Sequence, residues 1–208
     1  MKNIIMTLAM LLLALATEAQ SETPNSRQAR RIFDKAYNQV FGPQGSKFSY
    51  DVNIIGLYKT KGTMCMKEKK QRFSDERVDA WNDGVTAYMV YRKKKTVEIH
   101  QANSDKKDKY SGKFKFTLDD FTYHIANDAQ GFMLTLKQKK QAKGSIKEVK
   151  ALVDRKTYAP ISLKVKVAFI WTTIKISDFS AGNISDETFV FPRKRYEKGY
   201  KFVDKRKN

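Results

Sequence analysis

The chain has 208 residues, and 41 Lys and Arg against 22 Asp and Glu give it a formal net charge of +19. A single cysteine, Cys65, excludes a disulfide within the chain, so packing alone must hold the fold. After the first residues no apolar run reaches the roughly 20 residues that a membrane-spanning helix needs.

The first segment reads as an export signal. Lys2 supplies a positive start, "IIMTLAMLLLALA" an apolar run and "ATEAQ" a small-residue exit. The expected organisation is a signal peptide over 1–19 and one domain over 20–208. The high charge survives its removal, because Lys2 and Glu18 cancel. Cys65 is far from the signal exit, so no lipid anchor is expected on it. It lies between Met64 and Met66 and reads as a structural thiol.

Thr23-Pro24-Asn25-Ser26 offers capping residues, and "RQARRIFDKAYNQVF" follows. Ala29, Ile32, Phe33, Ala36, Tyr37 and Val40 recur at helical spacing, which predicts an amphipathic helix seeking an apolar partner. Gly42-Pro43 ends it. Beyond Gly45 the period becomes two. Phe48, Tyr50, Val52 and Ile54 alternate with Ser49, Asp51 and Asn53. Met64 and Met66 share a face in the next strand. Asn82-Asp83-Gly84 is turn chemistry, followed by Val85, Ala87, Met89 and Tyr91 and then by Val97 and Ile99. Residues 102–120 are polar and Lys-rich before Phe114, Phe116 and Leu118; they suit a loop or a strand with a long lead. Further alternating sets are Phe132, Leu134 and Leu136; Val149, Ala151 and Val153; Ile161, Leu163, Val165 and Val167; Ile174 and Ile176; Phe189 and Phe191.

Together these predict a mainly β protein with α: an open, incomplete antiparallel β-barrel of about eleven strands, with the N-terminal helix as lid or plug. One face of every strand is expected apolar and the other Lys-rich. Such a barrel is wide enough that the helix or a ligand must fill it. By parity Phe48, Tyr50, Val52, Met64, Met66, Met89, Leu134, Val165 and Ile174 are expected to line one apolar surface. Ile32, Phe33, Tyr37 and Val40 are expected to cover it.

Catalytic patterns are missing. His100 and His124 sit on different strands, and no HExxH, GxSxG, P-loop or GxGxxG occurs. Neither an enzyme, a metal nor a cofactor is expected. The aromatics fall inward by parity, whereas a nucleic-acid surface needs them exposed beside the cations, which argues against nucleic acid. The basic clusters fit solvated turns or an anionic partner, and Arg92, Lys93, Lys94 and Lys95 form the most compact cationic turn.

"GTMCMKEKKQRF" followed by "WNDGVTAYMVYRKKKTVEI" resembles the LolA-like carriers of outer-membrane lipoproteins, with Asp83-Gly84-Val85-Thr86-Ala87-Tyr88 in place of their "DGKTLW.Y"-like hairpin. "GFMLTLK", "TIKISDF", Asn183-Ile184, "TFVF" with Pro192, and "FVDKRK" follow in the family's order. The resemblance implies a monomeric, soluble periplasmic carrier whose open barrel shields lipoprotein acyl chains or another lipid. It also implies an inner-membrane donor complex and an outer-membrane acceptor. Two departures stand out. The family's lid-holding arginine has no clear counterpart in Lys67 to Arg72, and the lid segment after the hairpin is shorter. A lipid or anionic-glycolipid sensor on the same fold, without carriage, is the second reading.

Overall fold

The computed structural model describes residues 23–54, 58–102 and 117–206. The expected signal over 1–19, and most of the ambiguous 102–120 stretch, lie outside these residues. One α-helix, α1 (Pro24–Phe41), precedes β1 (Ser46–Ile54), β2 (Tyr58–Lys67), β3 (Lys70–Asp75), β4 (Val78–Asn82), β5 (Thr86–Tyr91) and β6 (Thr96–Gln101). Then come β7 (Phe121–Asp128), β8 (Gly131–Gln138), β9 (Ile146–Val153), β10 (Pro160–Val167), β11 (Ile170–Ala181) and β12 (Lys201–Asp204).

All twelve described strands join one sheet in the order β12-β6-β5-β4-β3-β2-β1-β11-β10-β9-β8-β7. The sheet is open, with β12 and β7 as its edges. Two runs of local hairpins, β1–β6 and β7–β11, meet where β1 pairs with β11. Ladder pairing is antiparallel except for β12, which runs parallel to β6. The open antiparallel sheet is the one expected, with this short parallel strand added at its edge; four residues are too few to show alternation in the sequence.

Three further expectations change. Phe189 and Phe191 do not form a strand; Asp186–Phe189 is a 3-10 turn capped by Ser185, whose Oγ accepts from the Glu187 N–H. Val85 does not face inward. It sits in the β4–β5 turn, 78% exposed, where Asp83 Oδ1 accepts from both the Val85 and Thr86 N–H groups. The third change concerns the faces. Val97 and Ile99 lie opposite Val90 and Tyr88, on the other side of the sheet from Met89. There Trp81, Val90 and Val97 are buried with Tyr196 beneath the C-terminal segment, and Phe191 stacks on Tyr88 at 4.3 Å. At its β4–β6 end the sheet therefore carries a second apolar face, under the C-terminal segment.

Helix α1 crosses the first face as a strap. Thr23 Oγ1 accepts from the Ser26 N–H, and Pro24 opens the helix, where its missing N–H costs nothing. At this end Asn25 exchanges two hydrogen bonds with the Ile125 backbone, at 2.9 and 3.0 Å, and so also covers part of edge strand β7. At the other end the Ser46 hydroxyl donates to the Val40 carbonyl and the Glu68 N–H to the Phe41 carbonyl. Ala29, Ile32, Phe33 and Ala36 are buried against Tyr123, Ile125, Leu134, Leu136, Val149 and Ala151.

Candidate functional site

The helix-bearing face carries the candidate site. The register places all nine residues of the expected apolar surface on it. Phe48 pairs with Met64, Met64 with Phe73, Phe73 with Ala80, and Ala80 with Met89, a row across five strands. At about 4.8 Å per strand the row is about 19 Å wide, a dimension suited to an extended alkyl chain. Val52 pairs with Ile174, and Ile174 with Leu163. Leu134 pairs with Ala151, and Val165 with Val149.

The nine do not form one cluster. Leu134 is fully buried under the helix, and Val165 packs at the margin of that core. Phe48, Tyr50 and Met66 form a second buried group with Val40, Val52, Met64, Phe73 and Ile174 at its margin. Met89 stands beyond both. Val52, Met64, Met89, Val165 and Ile174 remain half-exposed, so apolar surface on this face continues past the helix. Of the helix residues named for covering, Ile32 and Phe33 are buried and Val40 is half-buried. Tyr37 is 37% exposed and spends its ring on Phe41, 4.5 Å away.

Polar groups mark the far end of this row. Met89 pairs with Glu98, which Lys205 Nζ holds at 2.7 Å and His100 Nε2 contacts at 3.2 Å. Burial alone would raise the Glu98 pKa, but the hydrogen bonds from Lys205 and His100 bring it below the ordinary value. Tyr50 Oη and His100 Nδ1 are buried on this face without a hydrogen-bond partner. The Tyr50 ring stacks on Phe73 and leans over Gly62, where a Cβ would approach Tyr50 Oη to 2.5 Å. A Cβ there would also run into the Ser74 backbone carbonyl, which cannot swing aside, and together these contacts explain the glycine at position 62. Two open recesses, of about 690 and 410 Å³, lie largely on the opposite face and are polar; Asp51, Lys61 and Lys175 line the first, His124, Lys137 and Lys150 the second.

The cationic turn divides in two. Arg92 turns back onto the sheet, reaching Asp79 at 2.7 Å, the Ser74 hydroxyl at 3.2 Å and the Asp75 carbonyl. Lys93, Lys94 and Lys95 stay exposed. The Lys67–Arg72 run is likewise partly committed: Lys67 and Lys70 pair with Asp186, and Arg72 pairs with Asp79 while stacking 3.7 Å above Trp81. Sequence reasoning counted these as one class of charge because their acids lie on other elements, Asp79 on β4 and Asp186 in the 3-10 turn. Arg92→Gln is expected to cost about 1–2 kcal/mol, whereas Lys93→Gln, Lys94→Gln and Lys95→Gln together should stay within about 0.5 kcal/mol of the parent. Urea denaturation midpoints check this; equal losses would show that Arg92 is no more structural than its neighbours.

Cys65 is free and half-buried, and burial raises its thiol pKa, which keeps it a poor nucleophile. Among the described residues no group of three or more His, Cys, Asp or Glu is arranged to hold a metal ion. None of the described helices is long and apolar enough to cross a membrane.

An open, helix-strapped β-sheet with a half-exposed apolar row is the class that fold and site define. No family model and no curated protein sequence matches the chain. Among solved structures, an uncharacterized conserved protein from Thermus thermophilus superposes with a TM-score of 0.57 at 10% identity, covering 86% of this chain and 99% of that one. Similar structures also include a LolA superfamily protein from Nitrosomonas europaea, with TM-score 0.39, 8% identity, and 79% and 98% of the two chains covered. A putative outer membrane lipoprotein-sorting protein domain from Vibrio parahaemolyticus gives 0.43 at 9% identity, with 83% and 99% covered. The Thermus structure shows the shared fold. The other two overlap too loosely to carry a family, a site or an activity to this chain.

Proposed function

We propose that this protein is a periplasmic carrier that binds lipoprotein acyl chains, or another acylated lipid, along the helix-bearing face and delivers them toward the outer membrane. The observation that carries the reading is the half-exposed apolar row running on from the helix-covered core. An exposed row of this kind on a monomer calls for an occupant. Each CH₂ removed from water gains about 0.8 kcal/mol, so an acyl chain crossing an aqueous space needs such a surface. Methionines suit it, because Met64, Met66 and Met89 repack around chains of different shape. On this reading the chain acts by binding and release, without catalysis or a cofactor.

The test is a fluorescent fatty-acyl probe. It is expected to bind at one saturable site, to be displaced by a bulky acyl-lipid, and to be extracted by excess vesicles. Met66→Lys should abolish binding, because an unpaired ammonium is costly against an alkyl chain. Met66 is only 4% exposed, so Met64→Lys, at a half-exposed position on the same face between Phe48 and Phe73, serves as the second variant. Circular dichroism must match the parent for each. A parent that binds no acyl probe and yields an empty lipid extract overturns carriage and leaves only the fold.

A further inference from the structure

The most exposed large hydrophobic residue of the described chain is Phe169, at 83%. It sits in the two-residue turn between β10 and β11, where Val167 pairs with Ile170. Turn chemistry does not ask for it. Two-residue hairpins favour Asn-Gly or similar pairs, and here Ala168 takes the left-handed conformation, φ +53°, that glycine would adopt freely. Ile170 and Trp171 follow, both half-exposed. Lys150 and Lys166 place their ammonium groups 5.4 and 5.8 Å from the Trp171 ring.

Cations surround this tip. The Ala168 N–H donates to the Ser145 carbonyl at 3.1 Å, which fixes the tip beside the β8–β9 loop with its exposed Lys140 and Lys143. The register puts the β5–β6 turn, with Lys93, Lys94 and Lys95, at the same strand ends but set back from the tip, because Tyr91 is level, through Val78, Gly62 and Tyr50, with Ile176 of β11. The acids at these strand ends are mostly matched: Asp119 pairs with Arg30, Glu148 with Lys150 and Asp51 with Lys61, and Glu76 lies beside Arg77, while Asp120 adds one further carboxylate next to Asp119.

We propose that this sheet edge docks on an anionic lipid bilayer, with Phe169 inserted and Trp171 at headgroup level. An aromatic tip wants an apolar phase, and tryptophan favours the boundary between that phase and water. Lysines spread over separate turns match a plane of negative charge better than they match a single acidic pocket. The hairpin continues regular strands, so it is preformed and loses little freedom on insertion. This inference uses other residues than the acyl-binding row and does not depend on it.

The purified protein is mixed with phosphatidylcholine vesicles, with and without about one-third phosphatidylglycerol, and binding is followed by co-sedimentation. Binding to the anionic vesicles alone is expected, weakening as salt rises. Phe169→Ser should reduce it about tenfold, and Lys140→Gln with Lys143→Gln by a similar factor. Brominated acyl chains should quench tryptophan emission of the parent and not of Phe169→Ser. Phe169→Ser should melt with the parent and still bind the acyl probe, which separates this surface from the cargo site. Equal vesicle binding by parent and Phe169→Ser, equal binding to neutral and anionic vesicles, or no vesicle binding by the parent would each overturn the proposal.

Discussion

Phe33→Asp is expected to remove about 4 kcal/mol or more of folding stability. Phe33 is 8% exposed and meets Tyr123 edge-on at 5.8 Å. Truncating a buried phenylalanine alone costs about 3–5 kcal/mol, and a carboxylate forced against that apolar surface adds to the loss. Most single domains have only about 5–15 kcal/mol in total, so the variant should be partly unfolded at 37 °C. Tyr37→Asp, one turn further on, gives the contrast. Its side chain is 37% exposed and leans on Phe41, so the loss should be smaller, about 1–2 kcal/mol. Thermal melts of both variants read the difference. A Phe33→Asp protein that melts with the parent would show that the helix is not docked on the sheet.

The second large effect is expected at Asp79. Its side chain is 9% exposed and lies between Arg72 at 3.2 Å and Arg92 at 2.7 Å. Burial alone would raise its pKa, but the Ser74 hydroxyl, Arg92 and Arg72 outweigh burial and hold it below the ordinary carboxylate value. Asp79→Ala removes the anion and leaves two guanidinium groups facing each other in partly buried positions, which should cost about 3–5 kcal/mol. The sign of the pH effect follows from the lowered pKa. The stabilisation is complete above the unfolded value of about 3.9 and disappears as pH falls through the lower folded value. The stability gap between the parent and Asp79→Asn should therefore be flat from about pH 5 to 8 and shrink below about pH 4. A gap that widens in acid would contradict the lowered pKa.

The fold was legible where one physical signal dominated. Phe48, Tyr50 and Val52 alternate cleanly with polar residues, and β1 follows the alternation. Helix α1 was legible through spacing, its Thr23 cap and its Gly42 end. Strands β3 and β4 were hidden because Lys70, Arg72, Asp75 and Asp79 look like loop residues; Lys70, Arg72 and Asp79 find their ion-pair partners on other elements, and Asp75 accepts from the Arg77 and Val78 N–H groups. Phe189 and Phe191 misled in the opposite way. Their alternation is that of a strand, but both rings serve as packing for the second face, which no periodicity within β4 to β6 announced. Parity gave the shared face of the nine proposed lining residues. It did not show their division between the helix-covered core and the Phe48 group, because that division depends on where α1 crosses.

The seam between the two hairpin runs has a kinetic consequence. Every antiparallel neighbour pair but one is consecutive in the chain, so each run can form by local closure. The exception joins Ser46 to Ala181 at the centre of the sheet, and α1, which precedes the first run, packs on β7 and β8 of the second. Neither run can bury its share of the helix-bearing core alone. Closing so long a loop is slow compared with hairpin formation. The β1–β11 seam can form only once β11 has been synthesised, and it is expected to close after the local hairpins on either side of it.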